Sequence, residues 1–153
     1  MPTENSFLHG PDNQSMPAAT VIPVLHYPDV IAASKWLCRT FGFTERLRIG
    51  SHRIQLNVGH AAIVVAESPD AFLHPGTVSH SVMVRVASVD QHCKKARSMG
   101  AKIISEPTSF PYGERQYNVA DMANHVWTFS QTESNVDPSA WGGQWVSSNE
   151  KPA

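Results

Sequence analysis

The sequence predicts an α+β fold in which the order strand, helix, strand, strand, strand occurs twice. Three observations predict it. Two apolar stripes recur at helical spacing, each opened by an N-capping residue and closed by a glycine. Short β-rich runs separated by turn residues follow each stripe. The helix-ending glycines Gly42 and Gly100, and the strands at Val24 and Val84, hold equivalent places in the two halves.

Taken in order, residues 1–19 hold Pro2, Gly10, Pro11 and Pro17 among polar residues and read as a flexible N-terminal arm. The first strand is expected over Val21, Ile22, Val24 and Leu25, ended by Tyr27-Pro28-Asp29. Asp29 is the candidate N-cap of the first helix, because its carboxylate can accept from an orphan helical N–H. Val30, Ala33, Leu37 and Phe41 form the buried stripe, and Gly42 suits a left-handed end. Strands are expected at 44–49, 53–58 and 61–66, with turns at Gly50-Ser51 and Gly59-His60, completing a module over 20–68. Residues 69–76 read as a linker. The second module, 79–131, starts with a strand at 81–86. Ser88 opens its helix, with Gln91 placed for a capping box. Val89, Cys93, Ala96 and Met99 form the stripe before Gly100. Strands at 102–105, 116–119 and 126–130 follow, with 106–113 as a linker. The tail, 132–153, is polar apart from Trp141 and Trp145, which are expected to pack on a groove or a partner subunit.

A chain of 153 residues suits one compact domain or two fused halves, and it can bury a core without disulfides. Hydrophobic residues make up 41% and charged residues 16%, which reads as globular. The net charge of -1 offers no basic surface, so neither nucleic acid nor an anionic membrane is expected as a partner. No apolar run reaches the roughly 20 residues that span a bilayer. Residues 1–16 hold no apolar signal core. Cys38 and Cys93 sit on helices and read as reduced core residues, which together points to the cytoplasm. There is neither a Gly-rich phosphate loop nor a nucleophile elbow.

Two segments carry a family resemblance. The run from Tyr27-Pro28-Asp29 through Lys35-Trp36-Leu37 to Phe41-Gly42-Phe43 resembles the first helix of the vicinal-oxygen-chelate superfamily of glyoxalases, bleomycin-resistance proteins and extradiol dioxygenases. The run from Tyr112-Gly113-Glu114-Arg115 through Val119-Ala120-Asp121 to Asn124-His125-Val126-Trp127 is similar to its final hairpin, which reads Gly-x-Arg, then Val and Asp-Pro, then Gly-His-x-Trp. Here Met122 replaces the proline and Asn124 the glycine. Asparagine tolerates a left-handed turn, so the turn can survive. The resemblance covers residues 20–131. It implies the glyoxalase/bleomycin-resistance fold: two βαβββ modules forming a cup-shaped mixed sheet around a pocket, in a homodimer. The fold hosts dioxygenases, lyases, isomerases and drug-binding proteins, so it implies no single activity.

Enzymes of the superfamily hold a divalent metal with His, Gln or Glu from four strands, and the metal stabilises an oxyanion on the chelated substrate. The resemblance puts those positions at Ile22, among Ile63, Val64 and Val65, at Ser81 and at Thr128. None is a usual ligand, since such metals want imidazole or carboxylate. The leading expectation is therefore a small-molecule-binding protein that sequesters an aromatic or amphipathic ligand with no metal or other cofactor. Ile22, Val24, Trp36, Met83, Tyr112 and Tyr117 would supply apolar contacts. Gln55, Asn57, Glu67, Ser81, Arg85, Arg115 and Thr128 would supply polar ones. The alternative is a metal-dependent lyase, isomerase or dioxygenase with a divalent ion relocated to His26, Glu67 and His80. A third is a metal-free enzyme using Arg85 or Arg115 to stabilise an enolate. Arg85 lies mid-strand and calls for Glu67, an acidic ligand or a route to water. Arg115 would serve an anionic ligand or pair with Glu114 or Asp121. His125 is expected to pin the final turn by a hydrogen bond.

Overall fold

The structure, a computed structural model, describes residues 10–71, 74 and 79–146. Residues 1–9 of the expected arm, 72, 73, 75 and 76 of the expected linker, and 147–153 of the tail lie outside the described residues. The chain divides into two compact units, Met1–Val78 with Asp121–His125, and Ser79–Ala120 with Val126–Ala153. Among the described residues no helix is long and apolar enough to cross a membrane.

The first unit runs β1 (Val24–Tyr27), α1 (Val30–Phe41), β2 (Thr44–Ile49), β3 (Arg53–Val58) and β4 (Ala61–Glu67), in sheet order β1-β4-β3-β2. β1 is parallel to β4 and the other pairs are antiparallel. The Asp29 carboxylate accepts from Ala32 N at 3.0 Å, satisfying one orphan donor of the first turn. Gly42 ends the helix at φ 86°, a left-handed conformation that costs a glycine least. Val30, Ala33, Leu37 and Phe41 are all buried, and α1 packs on β3 and β4. Leu25, Tyr27, Ile54, Leu56, Ile63 and Val65 complete this core. The first strand starts later than expected. Val21 and Ile22 fall outside it, because Pro23 has no N–H to give a ladder; Pro23 instead accepts from Val64 N through its carbonyl.

The second unit repeats the plan with β5 (Val82–Arg85), α2 (Val89–Ser98), β6 (Lys102–Ser109), β7 (Glu114–Ala120) and β8 (Val126–Thr132), ordered β5-β8-β7-β6. Ser88 Oγ accepts from Gln91 N, and Gly100 follows the helix at φ 86°. Val89, Cys93 and Ala96 are buried against Tyr117, Val119, Trp127 and Phe129. Met99 is instead 40% exposed, since the helix ends at Ser98 and its stripe closes with Ala96. β6 also extends through the expected 106–113 linker to Ser109. Pro107 is tolerated because β6 is an edge strand whose register shifts between Ser105 and Thr108. A short 3-10 helix, Pro138–Trp141, lies in the tail. Cys38 and Cys93 are free thiols, and burial pushes both away from the thiolate.

The turn Asp121–His125 belongs to the first unit although β7 and β8 on either side of it belong to the second. Tyr27 Oη donates to Asp121 Oδ2 at 2.6 Å. Asp121 Oδ1 accepts from the backbone N–H groups of Ala123 and His125, each at 3.0 Å. His125 donates through Nε2 to His26 O at 2.9 Å, and its ring lies 4.7 Å from that of Tyr27. Asn124 takes φ 68°, so the left-handed turn does survive the loss of glycine. The two βαβββ units, each a four-stranded mixed sheet with one helix, have the expected α+β class.

Candidate functional site

Strand alternation gives each sheet one face covered by its helix and one face turned away from it. In the first unit the helix-free face carries Val24 and His26 from β1, Val64 from β4, and Gln55 and Asn57 from β3. Val64 is paired with both Val24 and Gln55, which fixes the register left open among Ile63, Val64 and Val65. Gln55 is 3% exposed, and both ends of its amide are used. Its Oε1 accepts from Arg46 Nη1, and its Nε2 donates to Ser15 O at 2.9 Å. Arg46 reaches this face because β2 bulges between Glu45 and Leu47. Ile22, just before β1, lines a pocket here together with Arg46 and Asn57.

In the second unit the helix-free face is a hydrogen-bonded polar lattice. Thr128 Oγ1 donates to Asn118 Oδ1 at 2.6 Å, and Asn118 Nδ2 donates to Ser105 Oγ at 2.7 Å. Gln116 Nε2 donates to Ser130 Oγ at 3.0 Å, and Ser130 Oγ donates to Glu114 Oε1 at 2.7 Å. Tyr112 Oη donates to Gln116 Oε1 at 3.1 Å, with its ring stacked on Phe110 and edge-on to Trp141. Arg85 lies on the same face beside Ser130 and donates to Thr132 Oγ1 at 3.0 Å; among the described residues it forms no ion pair. Met83, paired with Thr128, is 61% exposed on this face. Ser81 is exposed just before β5.

Four expected site residues are placed elsewhere. Tyr117 is fully buried on the helix face of β7, stacked on Phe129, with its hydroxyl 2.6 Å from His92 Nδ1 of α2. Its position alternates with Gln116 and Asn118, so it cannot share their face. Arg115 shares the helix face and pairs with Asp90 of α2 at 3.0 Å, not with Glu114, Asp121 or a ligand face. Trp36 stands on α1, edge-on to Phe41, away from the helix-free face of its sheet. Glu67 pairs in register with Tyr27, one residue from the His26–Ala66 pair, and so projects opposite to His26. His80 belongs to the second unit. Among the described residues no three His, Cys, Asp or Glu side chains are grouped to hold a metal ion, and within the first unit His26 and Glu67 of the relocated set face opposite ways.

The four family metal positions do not fit a divalent cation. Ile22 and Val64 are aliphatic, Ser81 and Thr128 are hydroxyls, and the Thr128 proton is committed to Asn118. Glu114, Gln116, Asn118 and Ser130 were absent from the expected set, although period-2 alternation from Thr128 was a sufficient signal for Ser130. Arg46 had no such signal, since a bulge decides its face.

No functionally curated protein matches the chain. Among solved structures, TioX from Micromonospora sp. ML1 is 32% identical, with a TM-score of 0.62 over 73% of this chain and 97% of that one. A glyoxalase/bleomycin resistance protein/dioxygenase family enzyme from Burkholderia phytofirmans PsJN is 20% identical, with a TM-score of 0.62 over 72% of this chain and 96% of that one. FosX of Listeria monocytogenes, a genomically encoded fosfomycin resistance protein, is 15% identical, with a TM-score of 0.63 over 76% of this chain and 94% of that one. The last two likenesses speak for the fold alone. Residues 21–129 match the family itself, a span that runs from just before β1 into β8. The chain belongs to the Glyoxalase/Bleomycin resistance protein/Dioxygenase superfamily.

Proposed function

We infer that the protein binds a small aromatic or amphipathic molecule on its helix-free sheet faces without a divalent metal, and breaks no bond in it. One observation carries this reading: the second unit's helix-free face bears two hydrogen-bonded chains, Thr128–Asn118–Ser105 and Gln116–Ser130–Glu114, in which no imidazole takes part and the Glu114 carboxylate is held by Ser130. Such chains orient a ligand by placed hydrogen bonds, while Met83 and the Tyr112–Trp141 rings offer apolar contact. Arg85 would meet an acidic group, because a guanidinium satisfied only by a hydroxyl retains donors. A homodimer and a cytoplasmic location belong to the same proposal.

The purified chain, measured by native mass spectrometry and elemental analysis, is expected to carry no stoichiometric divalent ion. His26→Ala and His80→Ala are expected to leave ligand binding unchanged. One tightly held ion per chain, lost on His80→Ala, would reverse the reading.

A second reading draws on Glu114, a carboxylate held by Ser130 on the face that also carries Arg85. Those two groups could serve as base and oxyanion donor in a metal-free proton transfer. Turnover that disappears in Glu114→Gln while binding persists would favour it.

A further inference from the structure

Residues 10–20 lie against the helix-free face of the first unit and with it line an open pocket of about 810 Å3. This is within the range of roughly 300–1,000 Å3 typical of small-molecule sites. Its sheet side includes Ile22, Arg46, Asn57, His60 and Ala62. A turn at Asn13, held by Ser15 N donating to Asn13 Oδ1 and Met16 N donating to Asn13 O, each at 3.0 Å, presents two successive backbone carbonyls to the sheet. Gln14 O accepts from Arg46 Nη2 at 2.9 Å and Ser15 O from Gln55 Nε2 at 2.9 Å. Arg46 Nη1 also holds Gln55 Oε1, which turns the amide's N–H2 end toward the carbonyl.

The sheet thus aims two linked donors, one cationic, at two neighbouring oxygens. Both acceptors are neutral, and among the described residues Arg46 forms no ion pair. A carboxylate would satisfy both donors and supply the missing charge, since charge-assisted hydrogen bonds are about twice as strong as neutral ones. A single guanidinium matches one negative charge, which suits a carboxylate better than a phosphate dianion. The segment is also lightly held: residues 10–16 are all exposed, and within residues 10–20 only Pro17 is buried.

We propose that Arg46 and Gln55 form a carboxylate-binding subsite, with residues 10–20 as its resident stand-in, and that a small organic carboxylate binds by displacing the Gln14 and Ser15 carbonyls. This rests on the reading of the helix-free faces as ligand-bearing and adds the class of ligand and the competitor.

The test is NMR titration of the full chain with a set of aromatic and aliphatic monocarboxylates, each beside its primary amide. Carboxylates are expected to shift the Gln55 side-chain amide and the backbone amides of residues 13–16, and the matched amides to do so much less. Arg46→Gln is expected to weaken carboxylate binding roughly tenfold or more, the usual cost of losing a charged hydrogen bond. Asn13→Ala, which loosens the turn without touching the donors, is expected to strengthen binding severalfold. Carboxylates that perturb only the Arg85–Thr128 face would overturn this subsite and leave the binding function standing. Compounds that perturb neither face would overturn both.

Discussion

Tyr27 shows how much one buried hydroxyl can hold. It is fully buried, and its proton goes to a carboxylate that also caps two backbone N–H groups of the final turn. Burial, and then the neighbouring Asp121 charge, push its ionisation well above the ordinary value of 10.0. The folded chain therefore keeps a proton that the unfolded chain releases above pH 10 or so. This stabilisation is complete below that pH and is lost as pH rises toward the folded value. Tyr27→Phe is expected to cost about 1–3 kcal/mol at neutral pH, because a buried hydrogen bond to the Asp121 carboxylate is lost. The variant should also flatten the fall in stability above pH 10, measured by urea denaturation across the alkaline range. Tyr117, likewise raised by burial, keeps part of that slope. At this scale the sequence was partly readable. His125 does pin the turn as expected, and Asn124 does adopt the left-handed conformation. The Tyr27–Asp121 bond was not readable, because 94 residues separate its ends and neither spacing nor pattern links them.

At the scale of elements, local chemistry decided most boundaries. Asp29, Ser88, Gly42 and Gly100 all stand where capping rules put them, since helix ends are satisfied by side chains a few residues away. Asp29→Ala is expected to lower stability by about 1 kcal/mol, read as a shift in the urea midpoint with an unchanged slope. Gly113 is a sterner test. It sits at φ 85°, and an added Cβ would fall 2.3 Å from Ser134 O. Gly113→Ala should therefore cost more than the roughly 1–2 kcal/mol of left-handed strain alone. It should also loosen the tail hydrogen bonds from Glu133 N and Ser134 N to Gly113 O, seen as faster amide exchange there. The faces of strands were less legible. Tyr117 and Arg115 looked like ligand contacts because aromatic and cationic residues suit a pocket. The pairing of β7 with β8 turns both toward α2, where His92 and Asp90 receive them. Bulges in β2 and β6 reset the alternation at Arg46 and after Ile103, and no feature of residue order announces a bulge.

For the molecule as a whole, the repeated plan was visible in the sequence because two amphipathic stripes and their glycine stops recur with the same sequel. The division into units was not, because it is not a single cut. The chain passes from one unit to the other after Val78, returns at Asp121 and leaves again after His125. Removing residues 121–125 from the first unit strips Tyr27 of its acceptor and the His26 carbonyl of its donor. Thermal unfolding is accordingly expected as one transition by both near- and far-ultraviolet dichroism, with two resolved steps counting against it. The borrowed turn also limits how the gene can be divided. A polypeptide severed after Val78 leaves its first fragment without five of its own residues, so that fragment should be insoluble or molten when expressed by itself. Co-expression with the second fragment should restore it, the two products behaving as complementing pieces and not as independent repeats.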